Sequence, residues 1–116
     1  MMPGEKDARS DPVGYMQSIG FDFGSLPDPL WGGYARWWCF GIPAGSFLQA
    51  VIEGDLYAAF ANADAGNQAQ MHGIVTWFWC NADSRAIRKN AKAWGDAGGH
   101  FGRLAEMQGE GSTNGL

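Results

Sequence analysis

Residues 46–62 read SFLQAVIEGDLYAAFAN and contain the clearest helical pattern in the chain. Apolar side chains recur there at the three- and four-residue spacing of one helix face, at Leu48, Val51, Ile52, Leu56, Ala59 and Phe60. Polar side chains such as Gln49 and Glu53 lie opposite, and Ser46 can cap the first turn. The stretch therefore predicts one amphipathic helix from Ser46 to about Asn62 with its apolar face in a core.

The segment before this helix has well-defined start and stop signals. Asp28-Pro29 favours a helix start, because aspartate can accept backbone N–H bonds and proline at the first position loses no needed donor. A first helix over Pro29 to Phe40 follows. Gly41–Gly45 ends it, since glycine can adopt the left-handed conformation and Ile42 precedes a proline.

The segments after residue 62 predict further short helices. Helical spacing of apolar residues indicates a helix from Met71 to about Cys80, although Ile74–Trp79 is rich in strand-forming residues and a strand stays the alternative there. Asp83 or Ser84 can cap a fourth helix to about Trp94. The glycines of residues 95–102 then end it, and His100 to Met107 can add a short final helix.

These elements predict an all-α fold, a small bundle of four or five short helices. We expect a flexible arm over residues 1–25, whose end docks through Ile19, Phe21 and Phe23, a helical domain over 26–108 and a disordered tail over 109–116. The stripes of the two best helices predict a core formed by Leu48, Val51, Leu56, Phe60, Ile74, Val75 and Phe78.

Charge and composition exclude several classes of protein. The net charge is -4, with -5 over residues 1–64 and +1 over residues 65–116, so duplex nucleic acid is not an expected partner. The sequence has no apolar run of membrane-spanning length and no secretory signal, which predicts a cytosolic location and no membrane partner. Cys39 and Cys80 lack metal-ligand spacing, so we expect no disulfide, metal or cofactor.

Catalytic templates are absent from the sequence. Ser46 lacks the flanking glycine of a nucleophile elbow, and neither His72 nor His100 has an evident acid and nucleophile companion. We therefore expect a protein that is not an enzyme. Asp55 and Asp64 are expected to bond to nearby backbone.

Aromatic and glycine residues are unusually frequent, with 6 Trp, 7 Phe and 18 Gly. Large rings beside glycines indicate close helix approaches or planar surfaces for a ligand or partner. The first predicted helix is apolar around most of its circumference, so it must be covered by the core, by an oligomer interface or by a ring-lined pocket. We expect self-association as a homo-oligomer, because a domain of this size buries a modest share of its surface.

Four cations recur at i, i+3, i+4 and i+7 in the fourth predicted helix, namely Arg85, Arg88, Lys89 and Lys92. They would form either a solvated helix face or an anion site near a helix N-terminus. Trp31 and Trp77 are candidate rings for stacking on a ligand, with Trp77 expected off the core stripe. Arg36 can clamp a phosphate, or pair with an acid such as Asp55 or Asp64.

The middle of the chain contains a set of short motifs, namely Trp31-Gly32-Gly33, Arg36-Trp37, Gly41-Ile42-Pro43, Gly45, Phe47-Leu48, Ala50-Val51 and Asp55-Leu56. This set resembles a group of short proteins encoded in phages and prophages. That group has a W-x-x-L-x-R-Y pattern followed by G-I-P-P-G-x-F-L-x-A-V-L-x-N-D-L and no assigned activity. The resemblance covers about residues 26–82 and departs at Ala44 and Gly54. It implies a phage context, in the cytosol of a bacterial host, and a small accessory protein.

Three functions are compatible with this sequence. The first is a counter-defence protein that sequesters a small nucleotide signal, with rings stacking the bases and Arg36 or the cationic stripe holding the phosphates. The second is an interaction module that presents aromatic anchors to a host or phage protein. The third is an enzyme acting on a nucleotide, which the missing acid and base pair disfavours.

Overall fold

The computed structural model describes the backbone of residues 2–81, 84 and 87–114 and, within these ranges, the side chains up to Gln108. Within these residues the chain is helical and contains no strand, which confirms the predicted all-α class. The nine helices of the described part are α1 (Glu5–Ser10), α2 (Pro12–Ser18), α3 (Asp28–Phe40), α4 (Ser46–Glu53), α5 (Leu56–Asn62), α6 (Ala65–Ala69), α7 (Met71–Cys80), α8 (Ala91–Asp96) and α9 (Gly99–Asn114). The number exceeds the predicted four or five because the predicted helix over residues 46–62 is divided, α6 forms where no helix was predicted, and the N-terminal segment adds two.

Helix α3 is the centre of the bundle and packs against α2, α4, α8 and α9. Five of its residues are buried, namely Tyr34, Ala35, Trp37, Trp38 and Cys39. The helix begins at Asp28, one residue earlier than predicted, with Pro27 as its N-cap and no side-chain cap, so the capping role predicted for Asp28 is wrong. It ends at Phe40, and Gly41 follows as the C-cap with a φ of +71°. Helices of the same chain thus cover α3 on several sides, so its apolar circumference belongs to the core.

The N-terminal segment supplies part of that cover. Ala8 of α1, Met16 of α2 and Phe23 are almost completely buried, and α2 packs directly on α3. Asp11 accepts a hydrogen bond from Gly14 N–H at 3.0 Å and thereby caps α2. Packing therefore starts well before residue 26, whereas the sequence analysis expected a flexible arm that docks only at its end.

The predicted helix over residues 46–62 consists of two helices. Gly54 has a φ of +77° and ends α4 in the left-handed conformation that glycine adopts without steric cost. Asp55 then starts α5 by accepting a hydrogen bond from Ala58 N–H at 3.0 Å. Asp64 likewise accepts from Asn67 N–H at 2.7 Å and caps α6, so both aspartates bond to nearby backbone as expected.

The break between α4 and α5 changes which residues form the core. Leu48, Val51, Ile74 and Phe78 are buried as predicted, and Val75 is half-buried. The assignment of Leu56 and Phe60 to the core is wrong, since their side chains are 46% and 55% exposed. After the break, the apolar stripe of α5 no longer continues the direction set by α4.

Helix α7 resolves the helix-or-strand alternative of Ile74–Trp79 in favour of a helix. Ile74 and Phe78 are buried on its inner face. Trp77, expected to lie exposed, is also buried with 8% exposure, and its ring packs edge-on against Tyr34 at 5.6 Å. Phe21 covers it from the N-terminal segment at 6.0 Å, a contact between distant residues that helical spacing alone does not reveal.

The predicted fourth helix is interrupted in the described residues. Ser84, Ile87 and Arg88 are helical, but a turn at Lys89-Asn90 separates them from α8. Ser84 is buried and its hydroxyl bonds to the Tyr34 hydroxyl at 2.6 Å, while its N–H donates to Asn81 Oδ1 at 2.9 Å. Asn81 therefore takes the capping role predicted for Ser84, and Asp83 lies outside the described residues.

Glycines allow the N-terminus of α9 to contact the C-terminus of α3. Gly98 and Gly99 have φ values of +90° and +70°, which agrees with the predicted helix stop. A Cβ at Gly99 would lie 2.6 Å from Gly41 N and 2.6 Å from Trp38 O. The close approach expected from the glycine and aromatic content is thus present here. Helix α9 is helical to Asn114, beyond its predicted end at Met107 and into the segment expected to be a tail.

Candidate functional site

Both tryptophans proposed as stacking rings are used inside the fold. Trp31 is half-buried, donates its indole N–H to Leu26 O and stacks on Phe23 at 5.1 Å with an interplanar angle of 21°. Trp77 is buried between Phe21, Tyr34 and Phe78. The expectation that Trp77 offers a free ring face to a ligand is therefore wrong, and one face of Trp31 is occupied.

The cationic residues do not form the predicted stripe. Their spacing requires an unbroken helix, and the turn at Lys89-Asn90 changes the direction of the chain between Arg88 and Lys92. Lys89 and Lys92 are exposed, and Arg85 lies outside the described residues. Arg88 is half-buried, and its guanidinium carbon lies 5.4 Å above the Trp79 ring.

Arg36 lies in a cleft with residues that the sequence analysis did not single out. The Arg9–Arg36 cleft has a volume of about 560 Å³. It is lined by Glu5, Arg9, Pro12, Arg36, Phe40, Ile42, Gly98, Phe101, Gly102 and Ala105. The one ion pair among the described residues is Arg9 with Glu5 at 3.2 Å, so the ion pair of Arg36 with Asp55 or Asp64 is not formed.

A second cleft is almost entirely apolar. The α5–α7 groove has a volume of about 680 Å³. It is lined by Leu56, Phe60, Met71, His72, Val75, Thr76 and Trp79. Leu56, Phe60 and Trp79 are each about half exposed, so three of the exposed large apolar side chains in the described part of the chain are concentrated there.

The sequence contains a signal for this groove that periodicity alone does not reveal. Gly54-Asp55 combines a preferred helix stop with a preferred helix start, which divides the apolar stripe of residues 46–62. The α5 part of that stripe then faces α7 across the groove, and Trp79 provides the opposite wall. Leu56 and Phe60, which are predicted to be buried, therefore lie at the surface.

Burial shifts the pKa of ionisable side chains among the described residues, including Cys39 and His100. Burial raises the pKa of the Cys39 thiol to about 12, which keeps it protonated and unreactive. Burial lowers the pKa of His100, whose ring stacks on Trp38 at 4.5 Å and packs edge-on against Phe101 at 5.0 Å. Among the described residues, no group of three or more His, Cys, Asp or Glu side chains lies where it could hold a metal ion.

Comparison with protein-family models, with curated proteins and with solved structures gives no match to this chain. In the described part of the chain, no helix combines the length and apolarity needed to cross a membrane. The α5–α7 groove and the Arg9–Arg36 cleft are therefore interpreted from their own residues.

Proposed function

We propose that this protein acts by binding and that the α5–α7 groove holds an apolar segment of a partner protein. The observation that carries the proposal is the exposure of Leu56, Phe60 and Trp79 around one groove, at 46%, 55% and 56%. Elsewhere the chain buries most of its large apolar side chains. A concentrated apolar surface of this kind marks interaction sites in folded proteins.

The groove has the composition of an interface centre. Tryptophan and arginine are favoured residues where binding energy is concentrated, and the Arg88 guanidinium lies over the ring of Trp79, which lines the groove. This contact holds the ring before a partner arrives, which reduces the entropy lost on binding. Covering the exposed half of each of the three apolar side chains would stabilise a complex by about 1 kcal/mol or more per side chain.

The shape and charge of the groove define the chemistry of the partner. Two helices form its walls, which suits an amphipathic helix with apolar side chains at i and i+3 or i+4. An acidic residue beside these anchors would meet Arg88 at the rim. The resemblance to short phage and prophage proteins supports a host or phage protein as the source of this segment, in the cytosol of a bacterial host.

The alternatives have less geometric support. The nucleotide-sequestering function calls for exposed rings that stack the bases and for Arg36 or the cationic stripe to hold the phosphates. Trp31 and Trp77 pack within the fold and the stripe is interrupted, which leaves Arg36 without the expected stacking rings. A nucleotide-acting enzyme would need a reactive group near a cleft, and the thiol with a strongly shifted pKa, Cys39, is buried and protonated. Binding to a protein partner accounts for the exposed apolar residues without these requirements.

A selection from a displayed library of random helical peptides tests the proposal. We expect enriched peptides to share two apolar positions at helical spacing and to lose binding to Phe60→Ser. Tyr57→Ser is the matched control, because Tyr57 belongs to the same helix and is 93% exposed but does not line the groove. Failure to enrich any sequence, or equal binding to Phe60→Ser and wild type, would contradict the proposal.

Light scattering on the same proteins tests the expected self-association. A second copy that covers the groove would give a dimer of wild type and Tyr57→Ser and a monomer of Phe60→Ser. In that case the enriched peptides should compete with dimerisation. If all three proteins are monomers, the expected homo-oligomer is contradicted and the partner in the groove is a different protein.

A further inference from the structure

We propose that the Arg9–Arg36 cleft binds a small organic phosphate, a site distinct from the α5–α7 groove. Two arginines from different helices line this cleft, Arg9 on α1 and Arg36 on α3. Its volume of about 560 Å³ falls in the range of small-molecule sites. The proposal is independent of the groove, because the two clefts share no lining residue.

Arg9 is held in one orientation by two neighbours. Its Nε and Nη2 both donate to Glu5 Oε2, at 3.3 and 3.2 Å, and its guanidinium carbon lies 5.1 Å above the Phe40 ring. Glu5 thus uses one edge of the planar guanidinium. The group has five N–H donors in a fixed fork, so donors remain for a ligand.

Arg36 contributes charge without a carboxylate partner in the described residues. Its guanidinium lies along α3 against Gly32, where an added Cβ would be 3.1 Å from Nη1. Glycine at this position leaves room for that orientation. With Glu5 counted, the cleft has a net charge of +1 from its two arginines and one acid.

The remaining walls of the cleft are apolar. The Phe40 and Phe101 rings stack at 5.5 Å with an interplanar angle of 21°, and Ile42 lies at the rim with a side chain that is 47% exposed. Such walls suit the organic part of a ligand. A phosphate monoester offers three acceptor oxygens to the arginines of the cleft, whereas a carboxylate offers two.

Titration calorimetry at low salt with phenyl phosphate as the probe tests this site. Three comparison compounds separate the contributions. Benzoate has the ring and a carboxylate in place of the phosphate, phenol has the ring without the charge, and inorganic phosphate has the charge without the ring. We expect phenyl phosphate to bind more tightly than each of the others, and the affinity to fall as salt is added. Arg36→Gln should weaken binding by about tenfold or more, the loss expected for one charge-assisted contact.

Arg103→Gln is the matched control, because Arg103 is an exposed arginine that packs over Trp94 outside the cleft. Its affinity should equal that of wild type. Arg36 is exposed, so the melting temperature of Arg36→Gln should stay unchanged and a loss of binding would not reflect unfolding. The proposal would be overturned if Arg36→Gln bound phenyl phosphate as tightly as wild type, or if Arg103→Gln weakened binding as much as Arg36→Gln. It would also be overturned if wild type bound benzoate more tightly than phenyl phosphate, or did not bind phenyl phosphate.

Discussion

Replacing Gly99 with alanine tests the close packing of α3 and α9. Gly99 has a φ of +70°, and an added Cβ would lie 2.6 Å from both Gly41 N and Trp38 O and 2.7 Å from Phe40 N. These are backbone atoms, which cannot move without shifting the end of α3. The substitution therefore combines an unfavourable backbone conformation with overlap in a packed crossing.

The two contributions set the expected magnitude. A non-glycine residue in the left-handed region costs about 1–2 kcal/mol. Forcing an extra carbon into a packed interior costs a further ~1–3 kcal/mol. We therefore expect Gly99→Ala to lower the free energy of unfolding by about 2–5 kcal/mol, a large part of the ~5–15 kcal/mol typical of a folded protein.

Two other glycines separate these contributions. Gly20 also has a positive φ, +96°, but no atom lies within 4 Å of an added Cβ, so Gly20→Ala should cost about 1–2 kcal/mol. Gly73 lies within α7 and has no positive φ and no such neighbour, so Gly73→Ala should stabilise by up to about 1 kcal/mol.

Urea denaturation followed by circular dichroism gives the free energy of unfolding of the three variants. A cost of Gly99→Ala no greater than that of Gly20→Ala would refute the close approach of the two helices.

Three further predictions follow from burial. Leu48→Ala should lower the free energy of unfolding by ~2–5 kcal/mol and Leu56→Ala by about 1 kcal/mol, because Leu48 is buried and Leu56 is 46% exposed. Similar losses for the two variants in urea denaturation would contradict the assignment of Leu56 to the surface. A thiol reagent should label exposed Cys80 rapidly and buried Cys39 only after unfolding, and rapid labelling of a Cys80→Ser variant would show that the Cys39 thiol is accessible. Because the pKa of His100 is lowered in the fold, the unfolded chain binds the proton more readily, and stability should fall as the pH drops below about 6.5. The melting temperature of His100→Gln should depend less on pH than that of wild type. The same pH dependence in both proteins would contradict the role of His100.

Local signals in the sequence account for much of the fold. The boundaries of α3 follow from Asp28-Pro29 and Gly41, and the helical spacing of residues 71–80 correctly gives α7. The break at Gly54-Asp55 is also encoded locally, but the apolar spacing of residues 46–62 continues across it. Periodicity therefore predicts one helix where capping produces two.

The candidate sites depend on contacts that local signals do not specify. Trp77 is buried because Phe21, more than fifty positions earlier in the chain, packs against it. The docking of α1 places Arg9 and Arg36 in the lining of one cleft, and a segment expected to be a flexible arm gives no reason to consider the two residues together. The charge of Arg36 makes it a candidate from the sequence alone, whereas the residues that line the cleft with it are known only from the tertiary structure.

The affinity of a groove-selected peptide for three proteins tests the proposed function most directly. Fluorescence anisotropy of the labelled peptide would compare wild type, Phe60→Ser and Tyr57→Ser. We expect Phe60→Ser to raise the dissociation constant by about tenfold or more, because it removes apolar surface worth ~1.4 kcal/mol or more from the groove. Tyr57→Ser should bind like wild type. An unchanged affinity for Phe60→Ser, or an equal loss in Tyr57→Ser, would contradict a partner site in the α5–α7 groove.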